Sequence, residues 1–221
     1  MLALKKIAEE ENLLLTITAY AFNPEGMKGA ESIGEEISTH KSASHVYLPT
    51  GGGGLLVATA IGLVRGGSSA KVICVQPDEC SPISQTVMGV ISQPSIPKCN
   101  TKISGLQLAN PPDGEIAVEK INASNGWGVR VTDEAAWEMQ DVLAREEGIF
   151  VEPAAALALA GLYQDIQSGK VTSSDEPVVV LSGSGLKDMT RYKSTSNSTT
   201  FDIAQVGKLV KESLSSKGVS E

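Results

Sequence analysis

The hydrophobic and polar positions of this chain fall into short apolar runs separated by helical stretches, a strand–helix alternation that runs through most of its length. Val46–Leu48, Lys71–Val75, Gly128–Val131 and Pro177–Leu181 have the length and composition of buried strands, and the last is apolar almost throughout, as strands of a parallel sheet are. Between the first two lies Leu55–Val64, an apolar run long enough for a helix of about three turns. Strand, helix and strand within about thirty residues predict a βαβ unit, hence parallel pairing with helices on both faces. The expected fold class is therefore α/β, a three-layer α/β/α arrangement around a mostly parallel sheet.

Further elements follow from periodicity and capping chemistry. Leu2–Glu11 has Leu4, Ile7 and Ala8 on one helical face, and Leu13–Tyr20 is β-rich and predicts a strand. Asn23–Gly29 is turn chemistry, followed by a helix over Ala30–Ile37 with Ile33 and Ile37 on its buried side. A short helix is expected around Ile83–Val90, inside a Ser-, Pro- and Gly-rich connection over 80–112 that is long for an idle loop. Another helix is expected over Gly114–Ile121. Thr132 is a plausible N-cap for a helix reaching Glu147, with Asp133 and Glu134 in its first turn, Ala135, Met139, Val142 and Leu143 along one stripe, and Gly148 at C′. Trp137 falls off that stripe. Pro153 suits the start of an alanine-rich helix over Ala154–Ile166, apolar on most sides and so expected to be buried. A Ser/Thr/Asn linker over 194–200 precedes an amphipathic helix over Phe201–Leu214, with Ile203, Val206 and Val210 on its apolar side.

Composition narrows the class of partner. The 221 residues suffice for a sizeable core, and the apolar and charged fractions are those of a globular protein. A net charge of −8 disfavours nucleic acid and anionic membranes, so an anion site must work locally through backbone dipoles. No apolar run approaches the roughly twenty residues of a membrane span, and Glu9–Glu11 after Lys5 and Lys6 is unlike a secretory signal. Three cysteines, Cys74, Cys80 and Cys99, lack metal-site spacing and are an odd number, so reduced thiols in a cytoplasmic setting are expected. His40 and His45 have no ligand partners in sequence, and no metal site is expected.

The chemistry concentrates at two glycine turns. Gly51, Gly52, Gly53 and Gly54 follow the first strand and lead into the helix beginning at Leu55. Unpaired N–H groups of a helical first turn, the macrodipole and the lack of Cβ atoms make such a turn able to hold a phosphate. A flexible turn before a core helix has the same sequence. The second turn, Ser182-Gly183-Ser184-Gly185, follows the last strand. Ligands of parallel sheets bind beyond the carboxyl ends of strands, so both turns should open on one edge. One can grip a phosphate; the other offers a hydroxyl to a ring nitrogen.

Three segments in order, Leu48-Pro-Thr-Gly-Gly-Gly-Gly-Leu55, Glu147-Gly-Ile-Phe-Val-Glu-Pro-Ala154 and Val180-Leu-Ser-Gly-Ser-Gly-Leu-Lys-Asp188, resemble the pyridoxal-phosphate enzymes of the tryptophan-synthase-β type (fold type II). Gly185-Leu-Lys-Asp188 and Asn23-Pro-Glu-Gly-Met-Lys-Gly29 resemble the threonine synthase branch, which converts phosphohomoserine to threonine. The tetraglycine looks more like threonine dehydratase or serine racemase. The resemblance covers about Leu13 to Tyr192 and implies pyridoxal 5′-phosphate as cofactor, a small amino-acid substrate and lyase-type chemistry. It implies that Gly51–Leu55 hold the cofactor phosphate and that Ser182 bonds the pyridine nitrogen, leaving it largely unprotonated. Glu152 would lie near the cofactor rim or simply start a helix.

The family's Schiff-base lysine, and the Asn-bearing loop that accompanies it, are not found in this sequence. Lys28 and Lys187 match positions without that role, and Lys71 starts a strand. The resemblance therefore implies a fold incomplete relative to the two-domain family: 1–44 a remnant of the small domain and crossover, 45–193 the large cofactor-binding domain, 194–221 a linker and helix. A fragment, half of a split enzyme with a separate N-terminal chain, and a non-catalytic relative all fit, and a homodimer is possible. A Rossmann-like dinucleotide module is the reading from another class, with Asp78 late for the ribose and no clean Gly-x-Gly-x-x-Gly. A structural or regulatory subunit that binds no ligand is a third.

Overall fold

The computed structural model describes residues 2–13 and 16–192, together with Gln205, Lys208, Glu212 and Ser215. Met1–Asp188 form one compact unit and Met189–Glu221 another. The linker and helix expected over 194–214 fall almost wholly outside the described residues.

In chain order the first unit contains α1 (Leu2–Glu10), α2 (Pro24–Met27), α3 (Ser32–Ser38), β1 (His45–Pro49), α4 (Gly54–Arg65), β2 (Lys71–Pro77), α5 (Pro82–Val87), α6 (Gly114–Ala123), β3 (Trp127–Val131), α7 (Asp133–Val142), α8 (Pro153–Gln167) and β4 (Pro177–Val179). The four strands pair in parallel in the order β3-β2-β1-β4. Because side chains alternate across a strand, Val46, Leu48, Val72 and Cys74 pack with α4 and α6 on one face. Tyr47, Ile73, Val75, Val129 and Val131 pack with α7 and α8 on the other. The α/β class and the parallel sheet expected from the strand–helix alternation are what the chain forms.

Capping chemistry sets the helix ends as anticipated. Thr132 Oγ1 accepts the Ala135 N–H at the start of α7, and Pro153 occupies the first turn of α8. Beyond α7 a turn of π-helix, Leu143–Glu147, ends at Gly148 in the left-handed conformation. The buried positions of α7 are Ala136, Met139 and Gln140, so the stripe is rotated relative to the one read from the sequence, with Ala135 and Val142 only half-buried.

Two further expectations are corrected. Residues 13–20 form no strand among the described residues. The amides of Tyr20 and Ala21 donate instead to the Asp113 carboxylate (2.8 and 2.9 Å), and β propensity without a ladder partner does not make a strand. Cys80 and Cys99, expected as thiols, are joined in a disulfide. The intervening loop folds back so that Asn100 N–H donates to the Glu79 carbonyl (3.0 Å), which brings the two side chains together, while Cys74 is free and buried.

The amino edge of the sheet is held by a buried carboxylate. Asp165 of α8, 5% exposed, accepts from the Tyr47 hydroxyl and the Trp127 indole N–H (both 2.7 Å), tying β1, β3 and α8 together. Lys170 caps the Trp127 ring at 3.9 Å and His45 meets its edge with centroids 5.3 Å apart. Replacing Asp165 with Ala leaves both donors unpaired inside the protein, so urea unfolding should show a loss of about 2–4 kcal/mol. His45 is buried, and burial with the nearby Lys71 lowers its pKa. Unfolded chains therefore take up a proton on this imidazole below about pH 6.5 that the folded state resists, and stability falls as pH drops through that point. The urea midpoint of a His45→Gln variant should fall less between neutral and mildly acidic pH than that of the parent chain.

Candidate cofactor site

Both glycine turns lie at the carboxyl edge of the sheet. β1 ends at Pro49 and β4 at Val179, and these neighbours run in parallel with His45 opposite Pro177 and Tyr47 opposite Val179. The tetraglycine and Ser182 are thus delivered to the same side from positions more than a hundred residues apart.

The tetraglycine is a helix entrance. Gly53 stands at the N-cap of α4 with φ +95°, a left-handed conformation that strains any residue with a Cβ. The first intrahelical bond runs from Val57 N–H to the Gly53 carbonyl (2.9 Å), so the preceding amides of the first turn remain available to an acceptor. Leu56 and Val57 are buried, and α4 is apolar along most of its length, so this helix end is anchored in the core and points at the edge.

Polar residues distant in sequence brace the loop. Thr50 N–H donates to the Val75 carbonyl (2.9 Å) and its hydroxyl to the Leu48 carbonyl (2.9 Å). Gln76, 1% exposed, donates to the Thr50 carbonyl (3.1 Å) and accepts the Ser84 N–H (2.8 Å). Asp113, 1% exposed, donates its N–H to the Gly52 carbonyl (3.0 Å), while its carboxylate holds the amides of Tyr20 and Ala21. Neither Gln76 nor Asp113 was marked by the sequence. Each is a single polar residue whose partner is a backbone group far away, and no motif carries that information.

Two cavities meet at the loop. Gly51, Gly52, Gly53, Gly54 and Leu55 all line one of about 350 Å³, together with Thr18 and Met27, which lie against Gly54. Ser182 lines the other, of about 310 Å³, which shares Pro49, Gly51 and Gly52 with the first and is also lined by Ser104–Leu106 and Glu152. Ser104–Leu106 belong to the long connection whose length had already suggested a role.

The second turn carries an ion pair. Val151 bridges to Ser184, and Glu152 N–H donates to the Gly183 carbonyl (3.0 Å), laying residues 151–152 against the turn. A Cβ on Gly183 would sit 2.1 Å from Glu152 Oε1, so the glycine admits that carboxylate. Lys187 contacts both of its oxygens (3.1 and 3.0 Å). The Ser182 side chain is exposed to the cavity. Lys28 pairs with Glu25 at the surface and Lys71 lies at the opposite edge, so neither lines these cavities.

Backbone donors at a helix entrance and a hydroxyl across the same edge suit a ligand with a phosphate and a heteroaromatic nitrogen. Among the described residues no basic side chain lines the larger cavity, so an anion there would depend on backbone amides.

Comparison with known proteins agrees with this chemistry. The family described as "Pyridoxal-phosphate dependent enzyme" matches residues 1–183. Threonine synthase of Methanocaldococcus jannaschii is 31% identical over 195 residues, covering 83% of this chain and 47% of that protein. Threonine synthase of Bacillus sp. (strain ULM1) is 29% identical over 217 residues, covering 95% and 58%. This chain thus spans about half the length of these relatives. Among solved structures, the processed form of threonine deaminase isoform 2 from Solanum lycopersicum superposes with a TM-score of 0.69 at 20% identity, covering 93% of this chain and 51% of that one. Maize serine racemase superposes with a TM-score of 0.66 at 16% identity, covering 95% and 60%. At those identities the likeness establishes the fold, and the sequence match carries the rest: the chain belongs to the pyridoxal-phosphate-dependent enzyme family.

Proposed function

We propose that this chain forms the cofactor-holding part of an amino-acid lyase-type site of the threonine synthase kind, with pyridoxal 5′-phosphate as its cofactor. The observation that carries the reading is the delivery of Gly51–Leu55 and Ser182 to one edge of the sheet by the parallel β1–β4 pair. The choice of threonine synthase over threonine dehydratase or serine racemase rests on sequence identity to threonine synthases across most of the chain.

In this reading the amides at the entrance of α4 bind the phosphate, helped by the helix dipole. Gln76, Thr50 and Asp113 keep the loop in shape, so the donors need no reordering when the phosphate arrives. The Ser182 hydroxyl would donate a hydrogen bond to the pyridine nitrogen and would add no formal charge there. Bound in this way, the cofactor supplies an electron sink for carbanion chemistry at an amino acid's α-carbon. Lys187 is the lysine that lines the Ser182 cavity, and it is engaged by Glu152. Among the described residues no other lysine lines either cavity, and a partner polypeptide is one source of a lysine for covalent attachment.

Equilibrium dialysis tests the reading. Pyridoxal phosphate should bind saturably, inorganic phosphate should compete, and Ser182→Ala should weaken binding about two- to tenfold, the worth of one hydrogen bond. Absence of binding, or preferential binding of a dinucleotide, would overturn it.

A further inference from the structure

The cavity beside Ser182 holds a second group able to meet a ring nitrogen. Glu152 is 14% exposed, its carboxylate lies over Gly183, one residue from Ser182, and both residues line the same 310 Å³ space. The two groups have opposite consequences for a pyridine. A hydroxyl donates a hydrogen bond to the neutral nitrogen, whereas an adjacent carboxylate favours the protonated, cationic ring. Which of them faces the ring decides how strong an electron sink the site makes.

The carboxylate is not free to choose. Lys187 reaches back from the turn of 3₁₀ helix over Gly185–Lys187 and contacts both Glu152 oxygens, at 3.1 and 3.0 Å. The lysine side chain is 65% exposed, so this pair adds little to stability, as surface pairs do. Its effect is on direction: it holds the carboxylate at Gly183. Asp188, the other carboxylate lining the cavity, makes interactions of its own.

Resting on the cofactor assignment above, we propose that Lys187 is a positioning residue. By holding Glu152 it keeps the carboxylate off the pyridine nitrogen, so that Ser182 is the group that meets the ring and the ring stays unprotonated. The pair thus sets the electronic character of the cofactor, and with it the class of reaction the site favours. Without the lysine, the three rotatable bonds of Glu152 let its carboxylate swing into the cavity it already borders.

The test needs neither activity nor covalent attachment. Pyridoxine 5′-phosphate lacks the aldehyde, and the nitrogen-15 chemical shift of its labelled ring reports protonation directly. The full chain should hold this probe at the unprotonated position at mildly alkaline pH. Lys187→Met should move the bound resonance upfield toward the pyridinium position, Lys187→Arg should not, and Lys187→Met combined with Glu152→Gln should restore it. An unmoved resonance in Lys187→Met, or an upfield shift that persists in the double variant, would overturn the role of Lys187 while leaving the cofactor assignment intact. A parent chain that fails to bind the probe at all would overturn both.

Discussion

The parallel pairing of β4 against β1 is the constraint on which the site depends. Val180 N–H donates to the Tyr47 carbonyl (3.0 Å), continuing the ladder just past Val179. Strands pair residue by residue, so this register fixes how far each turn extends beyond the sheet. A slip of one residue would turn Val178 and Val180 to the α8 side and move Ser182 relative to the tetraglycine. The two strands are joined by some 130 residues of intervening chain, including α4, α6, α7 and α8. Everything packed between them helps decide where a single serine stands.

The two edges of the sheet divide the work. At the amino edge Asp165, Tyr47, Trp127 and Lys170 form a polar and aromatic cluster in which Tyr47 and Trp127 both donate to Asp165 and Lys170 lies over the Trp127 ring. At the carboxyl edge backbone amides, a serine hydroxyl and two cavities are left open. Satisfied buried polar groups rigidify a structure, and open ones accept ligands, so the same chemistry serves stability at one end and recognition at the other. At the open edge itself Gln76 and Asp113 are buried and satisfied, and they hold the tetraglycine loop from inside the core.

Much of this was legible in the chain. The apolar runs of β1, β2, β3 and β4, the glycine turns that follow β1 and β4, the Thr132 cap and the Pro153 helix start depend on local propensity and patterning, which a sequence displays directly. The failures share a cause. The β-rich stretch 13–20 forms no strand among its described residues, and at its end Asp113, almost a hundred residues later, takes the amides of Tyr20 and Ala21. Cys80 and Cys99 meet because their loop turns back at Glu79 and Asn100. The buried stripe of α7 is rotated because α8, not α7's own pattern, chooses which face is covered.

What the sequence determined by itself was therefore the set of parts: four strands, a helix entrance without side chains, a hydroxyl on a glycine turn. These follow from backbone sterics and hydrophobic period, which act within a few residues. Only the tertiary structure decided that the entrance and the hydroxyl open side by side, that Gln76 and Asp113 brace the loop, and that Lys187 holds Glu152 beside Ser182. Each of these is a contact between segments remote along the chain, set by register and packing, and a linear pattern carries no record of it.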